Sequence, residues 1–275
     1  MSARLDGQRV ALFESRLAAE LSELVRRCGG VPVCVPAVVE RRLPSGPEVR
    51  ALLTALRVAS PAVFVFSTGV GARALFDEAR SQGLAPELLE AISRGEAVCR
   101  GPKAVAALYR EGRLACRKAR SPYTTVELVD ALAEVEVCGR TVVLVHHGGG
   151  DDELVEALVG RGARVHELLV YDWQLPEDTS ALEQAARELA QGEFAAAAFT
   201  TQIQARHLMT IACRIGCHDT LVASLRSRVV VAAVGPTCAR VLTELGVPAQ
   251  VVADPPKMAT MVGALVARLT VGSGA

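Results

Sequence analysis

The chain has 275 residues, 51% of them hydrophobic, and its 30 basic and 30 acidic side chains cancel to no net charge. That length suits one large domain or two ordinary ones, with ample apolar material for buried sheets. The charge balance leaves no basic field to gather nucleic acid, and six Phe, three Tyr and one Trp are too few for a base-stacking platform. The opening residues contain no apolar signal core, and no uncharged apolar run approaches the ~18 residues of a membrane helix. The expectation is a cytoplasmic protein with neither nucleic acid nor membrane as partner.

In chain order, 10–13 reads as a buried strand and 17–27 as a helix, with apolar positions at 17, 18, 21, 24 and 25. Cys28-Gly29-Gly30 stops the helix, and 31–35 is the next strand. A turn-rich stretch over 44–47 precedes a helix over 48–57 and a strand over 63–66. Helices over 70–80 and 86–93, a strand over 97–99 and helices over 102–111 and 124–133 follow. Next come a strand over 141–145, a helix over 153–159, a stop at Arg161-Gly162 and a strand over 165–170. The remainder alternates again: helix 179–191, strand 195–199, helices 202–213 and 219–225, strand 229–234, helix 236–245, strand 251–252 and helix 258–269, with a frayed tail from 270. Continuous apolar strands alternating with helices are the pattern of parallel sheets covered on both faces.

The chain repeats itself. Phe66-Ser67-Thr68 and Phe199-Thr200-Thr201 each end an apolar run, and Ala72-Arg73 with Leu75 answers Ala205-Arg206 with Leu208; each pair stands 133 positions apart. Gly101-Pro102 and Gly235-Pro236 open similar helices 134 apart, and Gly7 and Gly139 stand 132 apart. Two similar sheets create a cleft between them, and ligands of parallel sheets bind beyond the carboxyl ends of the strands. The strand-to-helix turns are therefore the segments to read. They are Glu14-Ser15-Arg16, Ser67-Thr68-Gly69, Arg100 to Lys103, Ser121 to Thr125, His146 to Gly150, Thr200 to Gln202 and Gly235 to Thr237. Their Ser, Thr and Gly supply hydroxyls and approachable backbone N–H groups at helix N-termini, a means of holding carboxylates or phosphates. Ser and Thr are also ordinary N-caps, so any one turn is equally explained by capping.

Familiar catalytic signatures are missing. There is no GxxxxGK[ST] loop, and Gly69-Val70-Gly71 lacks the third glycine and acidic partner of a dinucleotide site. Adjacent His146 and His147 on a strand point to opposite faces, and Cys213, Cys217 and His218 surround a helix end; neither group makes a metal site. The eight cysteines form no CxxC pair and read as buried free thiols. Tyr171, in the alternating strand Leu168 to Trp173, is singled out. A phenol at the join between the two lobes can donate a hydrogen bond to a departing oxygen, or can simply pack an interface.

These stretches together resemble the uroporphyrinogen-III synthase family. The resemblance rests on Gly7-Gln8-Arg9-Val10, Phe66 to Val70, Gly149-Gly150 with the helix through Leu158, Arg161 to Val165, Val170-Tyr171, Phe199 to Thr201, and above all Ala233 to Arg240. It implies an α/β fold with two similar parallel-sheet, flavodoxin-like lobes joined by a two-stranded linker, with the substrate in the cleft. Residues 1–36 and 174–275 would form one discontinuous lobe and 41–168 the other, with 35–42 and 167–175 as linker strands. The family's enzyme closes linear hydroxymethylbilane, which carries eight carboxylates, while inverting ring D through a spirocyclic intermediate and using no cofactor. Folding the substrate is then the main task.

By the same resemblance Tyr171 assists hydroxyl loss. Arg16, Thr68, Gly69, Gly101, Lys103, Ser121, Thr124, His147, Gly149, Thr201, Gln202 and Thr237 are the candidate substrate contacts. The chain would act as a monomer, in transient contact with hydroxymethylbilane synthase. Where some family members carry a positive charge two positions after Thr68, this chain has Val70. A non-catalytic sensing module of the same fold is the alternative. Some such modules are fused to a winged-helix domain, and the absence of one after the last helix favours the enzyme.

Overall fold

A computed structural model describes residues 5–58, 61–147 and 152–272. The chain separates into two compact units, one of residues 1–39 and 174–275, the other of residues 40–173.

The first unit starts with β1 (Arg9–Leu12), α1 (Ala18–Arg27) and β2 (Val31–Cys34). The strand β3 (Val39–Arg42) then leads into the second unit. That unit continues with α2 (Gly46–Leu56), β4 (Val63–Phe66), α3 (Gly69–Ser81), α4 (Ala85–Arg94), β5 (Glu96–Cys99), α5 (Pro102–Gly112), β6 (Arg117–Lys118) and α6 (Thr125–Ala133). It closes with β7 (Thr141–His147), α7 (Asp152–Gly160) and β8 (Arg164–Gln174). The chain then completes the first unit with α8 (Ser180–Gln191), β9 (Ala196–Phe199), α9 (Gln202–Arg214), α10 (His218–Ser227), β10 (Val230–Ala233), α11 (Pro236–Glu244), β11 (Val251–Val252) and α12 (Met258–Gly272).

The first unit holds a five-stranded sheet in the order β11-β10-β9-β1-β2, with every pair parallel. The second holds a six-stranded sheet in the order β3-β8-β7-β4-β5-β6, parallel from β8 to β6. The repeat gains a structural meaning from these orders. β1 and β2 open the first sequence copy but join the strands of the second copy, and β7 and β8 open the second copy but join β4, β5 and β6. Each five-strand set has the flavodoxin-like order, entered at a different point of the chain. The copies have exchanged their first βαβ element.

Local chemistry explains the elements. Val63 to Phe66 and Ala196 to Phe199 are buried at every position, because each sits in mid-sheet with helices over both faces. Along β4, Phe64 and Phe66 join one core with Leu75, Phe76 and Tyr171, while Val63 and Val65 join another with Leu128 and Leu144. The period-2 alternation thus feeds two apolar layers, one on each side of the sheet. Gly192 ends α8 in the left-handed region (φ 79°), and its N–H donates to the Leu189 carbonyl. Gly95 precedes β5 because a Cβ there would lie 2.0 Å from the Ala62 carbonyl oxygen.

Two strands escape the hydrophobic pattern, β3 and β6. Every side chain of β3, Val-Glu-Arg-Arg, is exposed, as are Arg117 and Lys118 of β6. Both lie at sheet edges, where charge discourages pairing with a foreign strand. Among the described residues no helix is long and apolar enough to cross a membrane.

Candidate functional site

In the second unit, β4 ends at Phe66 and the chain turns through Ser67 and Thr68 into α3. Thr68 is extended (φ −142°, ψ 152°) and its Oγ1 accepts from the Gly71 N–H at 2.9 Å, a standard N-cap. The same oxygen stands 2.8 Å from the Tyr171 hydroxyl. Tyr171 comes from β8, two strands away, and is fully buried.

A β-bulge makes this meeting possible. His146 of β7 pairs with Leu169 of β8 and His147 pairs with Tyr171, so Val170 is an extra residue on β8. Strict alternation would place Tyr171 on the side of Leu169, which is exposed; the bulge returns it to the side of Leu168 and Val170, both buried in the same core. Re-aiming a side chain at a strand end is a known use of bulges. Gly71 leaves room for the ring: a Cβ there would lie 3.2 Å from Thr68 Oγ1 and 3.4 Å from Tyr171 Cε1. Trp173 meets the ring edge-on at 5.9 Å between centroids.

The neighbouring turns line up along the same sheet end. A Cβ on Gly69 would lie 2.5 Å from the Lys103 carbonyl oxygen, so the first turns of α3 and α5 touch through backbone. Gly101 is the extended N-cap of α5, and Tyr123 lies against it, 3.6 Å from where a Cβ would stand. Tyr123 itself is left-handed (φ 66°). Lys103 and Ser121 are exposed. Thr124 caps α6, and its backbone N–H and hydroxyl both donate to the Glu127 carboxylate, at 2.8 and 2.5 Å. Those hydrogen bonds hold the Glu127 carboxyl below its ordinary range and occupy the Thr124 donors internally. His147 ends β7 beside β4; Gly149 lies outside the described residues.

The first unit has a matching sheet end, built differently. Arg16 follows β1, Thr201 and Gln202 follow β9, and Thr237 lies in the first turn of α11 after β10; these strands are neighbours. Thr237 and Arg16 are exposed, Gln202 half-buried. A carboxylate from the chain itself occupies the centre. Glu14 is buried; its Oε1 accepts from the Arg16 and Leu17 N–H groups at 3.1 and 3.2 Å, and its Oε2 accepts from the Thr200 hydroxyl and from Gln204 Nε2. Burial by itself would push this carboxyl up, but the Thr200 hydroxyl, the Leu17 amide, Gln204 and the Arg16 amide together leave it below the ordinary value of 4.5.

Gln204 takes the position that Gly71 holds in the other copy, and its Oε1 accepts from the Thr200 and Thr201 N–H groups at 2.8 and 3.2 Å. Glu14 stands in one of the turns read from the sequence but not among its candidate contacts, and Gln204 lies just past another; neither is singled out by reading for hydroxyl-rich turns. A signal is present for the second, since Thr201-x-x-Gln204 is a capping-box spacing. The sequence candidates therefore fall into two sets. Thr68, Gly69, Gly101, Lys103, Ser121, Thr124, His147 and Tyr171 belong to the second unit; Arg16, Thr201, Gln202 and Thr237 belong to the first. Thr68 and Tyr171 are brought into contact, while Thr124 is committed to its own helix cap.

Parallel sheets of flavodoxin-like order, each with hydroxyl-rich turns at the carboxyl ends of its strands, define a two-unit α/β protein. The comparisons narrow that class. Residues 19–263 match the model of the family described as Uroporphyrinogen-III synthase HemD, and the chain belongs to this family. It is 31% identical over 262 residues to the uncharacterized protein YjjA of Bacillus subtilis (strain 168), covering 95% of this chain and 96% of that one. A solved structure of a mutant uroporphyrinogen III synthase from the extremely thermophilic bacterium Thermus thermophilus is similar, with a TM-score of 0.74 and 25% identity over 97% of this chain and 100% of that one. A Helicobacter pylori uroporphyrinogen-III synthetase shares the fold at 13% identity, with a TM-score of 0.51 over 97% of this chain and 99% of that one.

Proposed function

We propose that this chain is a uroporphyrinogen-III synthase, a lyase that closes hydroxymethylbilane with inversion of ring D and without a cofactor. The observation that carries the reading is the Tyr171–Thr68 hydroxyl pair at the end of a parallel sheet in a member of this family.

The chemistry needs little beyond it. Hydroxymethylbilane loses its hydroxyl to give an electrophilic azafulvene, and a phenol can hand its proton to that departing oxygen as water forms. The phenolate left behind accepts from the Thr68 hydroxyl, which already holds the Gly71 N–H at the N-terminus of α3. That end of a helix favours negative charge nearby. Gly69, Gly101, Lys103 and Ser121 at this sheet end supply donors for the substrate's carboxylates. Holding those groups fixes which carbon of ring D attacks first, the source of inversion.

A second reading, a non-catalytic ligand-sensing module, draws support from the enclosure of Tyr171, which leaves no part of its ring exposed. A coupled assay with hydroxymethylbilane generated in situ separates the two. After oxidation, type III porphyrin above background supports the enzyme; type I alone, at the spontaneous rate, overturns it.

A further inference from the structure

Cys99 is the last residue of β5 and is buried; Cys116 stands one residue before β6 and is half-buried. The two strands are parallel neighbours, pairing Val98 with Arg117 and Cys99 with Lys118. Cys116 is therefore level with Ala97, two positions from Cys99 on the same face, and both thiols pack against the same core. Each thiol bears on the titration of the other, lowering Cys116 and raising Cys99.

From this juxtaposition we infer that Cys99 and Cys116 form an oxidisable thiol pair, a disulfide-forming site beside the Gly101 turn that peroxide converts and thiols restore.

The environment assigns the roles. The neighbouring Cys99 thiol, together with the positive charge of Lys118, outweighs burial and lowers the Cys116 thiol to about 7, so near neutral pH a large share of it is thiolate. Cys99 is pushed upward by its Cys116 neighbour and by burial, and stays a thiol. The Cys116 thiolate attacks hydrogen peroxide, giving its sulfenic acid and releasing hydroxide. The Cys99 thiol then displaces the sulfenic oxygen, forming the S–S bond and releasing water. Two thiols lose two electrons and one peroxide is reduced. A two-residue offset between neighbouring strands sets the Cα atoms about 8 Å apart, beyond the reach of a disulfide, so the bond forms when Cys116, which lies outside the β5–β6 ladder, moves toward Cys99. Cys99 directly precedes Arg100 and Gly101, so the bond ties that turn to the segment before β6.

The experiment treats the full-length reduced protein with hydrogen peroxide at neutral pH and maps its peptides by mass spectrometry without reduction. The expected result is a peptide joining Cys99 to Cys116, reversed by dithiothreitol, while Cys34, Cys138 and Cys213, which are exposed, remain unlinked. In Cys99→Ser, the Cys116 sulfenic acid should persist and be trapped by dimedone. Cys116 remaining reduced in the wild type, or linking to any other cysteine, would overturn the proposal. None of these readouts depends on tetrapyrrole chemistry, so the thiol pair and the synthase reading can fail separately.

Discussion

The Tyr171 hydroxyl reaches the Thr68 hydroxyl at 2.8 Å only because Val170 bulges out of register between β7 and β8. Two residues 103 positions apart thereby share one hydrogen bond at the mouth of α3. If this phenol gives the proton to the departing hydroxyl, Tyr171→Phe should lower kcat by about 100-fold, within the range for losing a general acid. KM should stay nearly constant, since the ring and its packing remain. Steady-state kinetics on hydroxymethylbilane check this, and unchanged turnover removes the role. Stability should fall by only about 1 kcal/mol, the usual net worth of one hydrogen bond.

Thr68→Val tests the other partner. It removes the cap of α3, at about 1 kcal/mol, and also the donor that supports a Tyr171 phenolate. Combined with Tyr171→Phe in a double-mutant cycle, the stability effects should be non-additive by about 0.5 kcal/mol or more, because each change removes the same hydrogen bond. Strict additivity in urea titrations would mean that the two hydroxyls do not interact in solution.

Gly69→Ala probes how two strand-end turns are held together. The new Cβ would fall 2.5 Å from the Lys103 backbone oxygen, and backbone cannot swing aside as a side-chain tip would. The expected cost is about 1–3 kcal/mol, typical of overpacking, read as a lower urea midpoint at unchanged m-value. Gly83→Ala is a useful contrast. Its Cβ meets nothing within 4 Å, so any loss there reports the left-handed backbone (φ 70°) alone.

Much of the fold is legible in the sequence because its signals are local. The apolar run over 63–66 predicts a strand and β4 occupies Val63–Phe66, since a continuous apolar run between breakers has few other fates. Edge strands β3 and β6 leave no such trace; β3 follows only from the family resemblance, and Arg117-Lys118 carries charge where the pattern looks for apolar residues. Thr68 and Tyr171 each stand out in the sequence, but their contact does not. Reading Leu168 to Trp173 as an alternating strand assumes an unbroken register, and the bulge at Val170 is set by pairing with β7. Glu14 is hidden for a related reason. A single carboxylate after a strand looks like solvent-exposed polarity until Thr200 and Gln204, nearly two hundred residues later in the chain, close over it.

Glu14 yields the clearest pH prediction. Its folded-state carboxyl titrates below the ordinary 4.5 that it regains on unfolding, so the unfolded chain binds its proton more readily. The stabilisation is complete above 4.5 and is lost as the pH falls through the lower, folded-state value. Glu14→Gln keeps the shape but replaces one acceptor oxygen with an amide donor, which must face either the Arg16 and Leu17 N–H groups or the Thr200 and Gln204 donors. The variant should therefore be less stable by about 1–3 kcal/mol at about pH 7, the cost of buried donors left without an acceptor. The gap from the wild type should narrow as the pH falls below 4.5, because only the wild type has this carboxylate to lose. Thermal melts across that range check the prediction, and a constant gap would place the carboxylate's protonation outside the folding equilibrium.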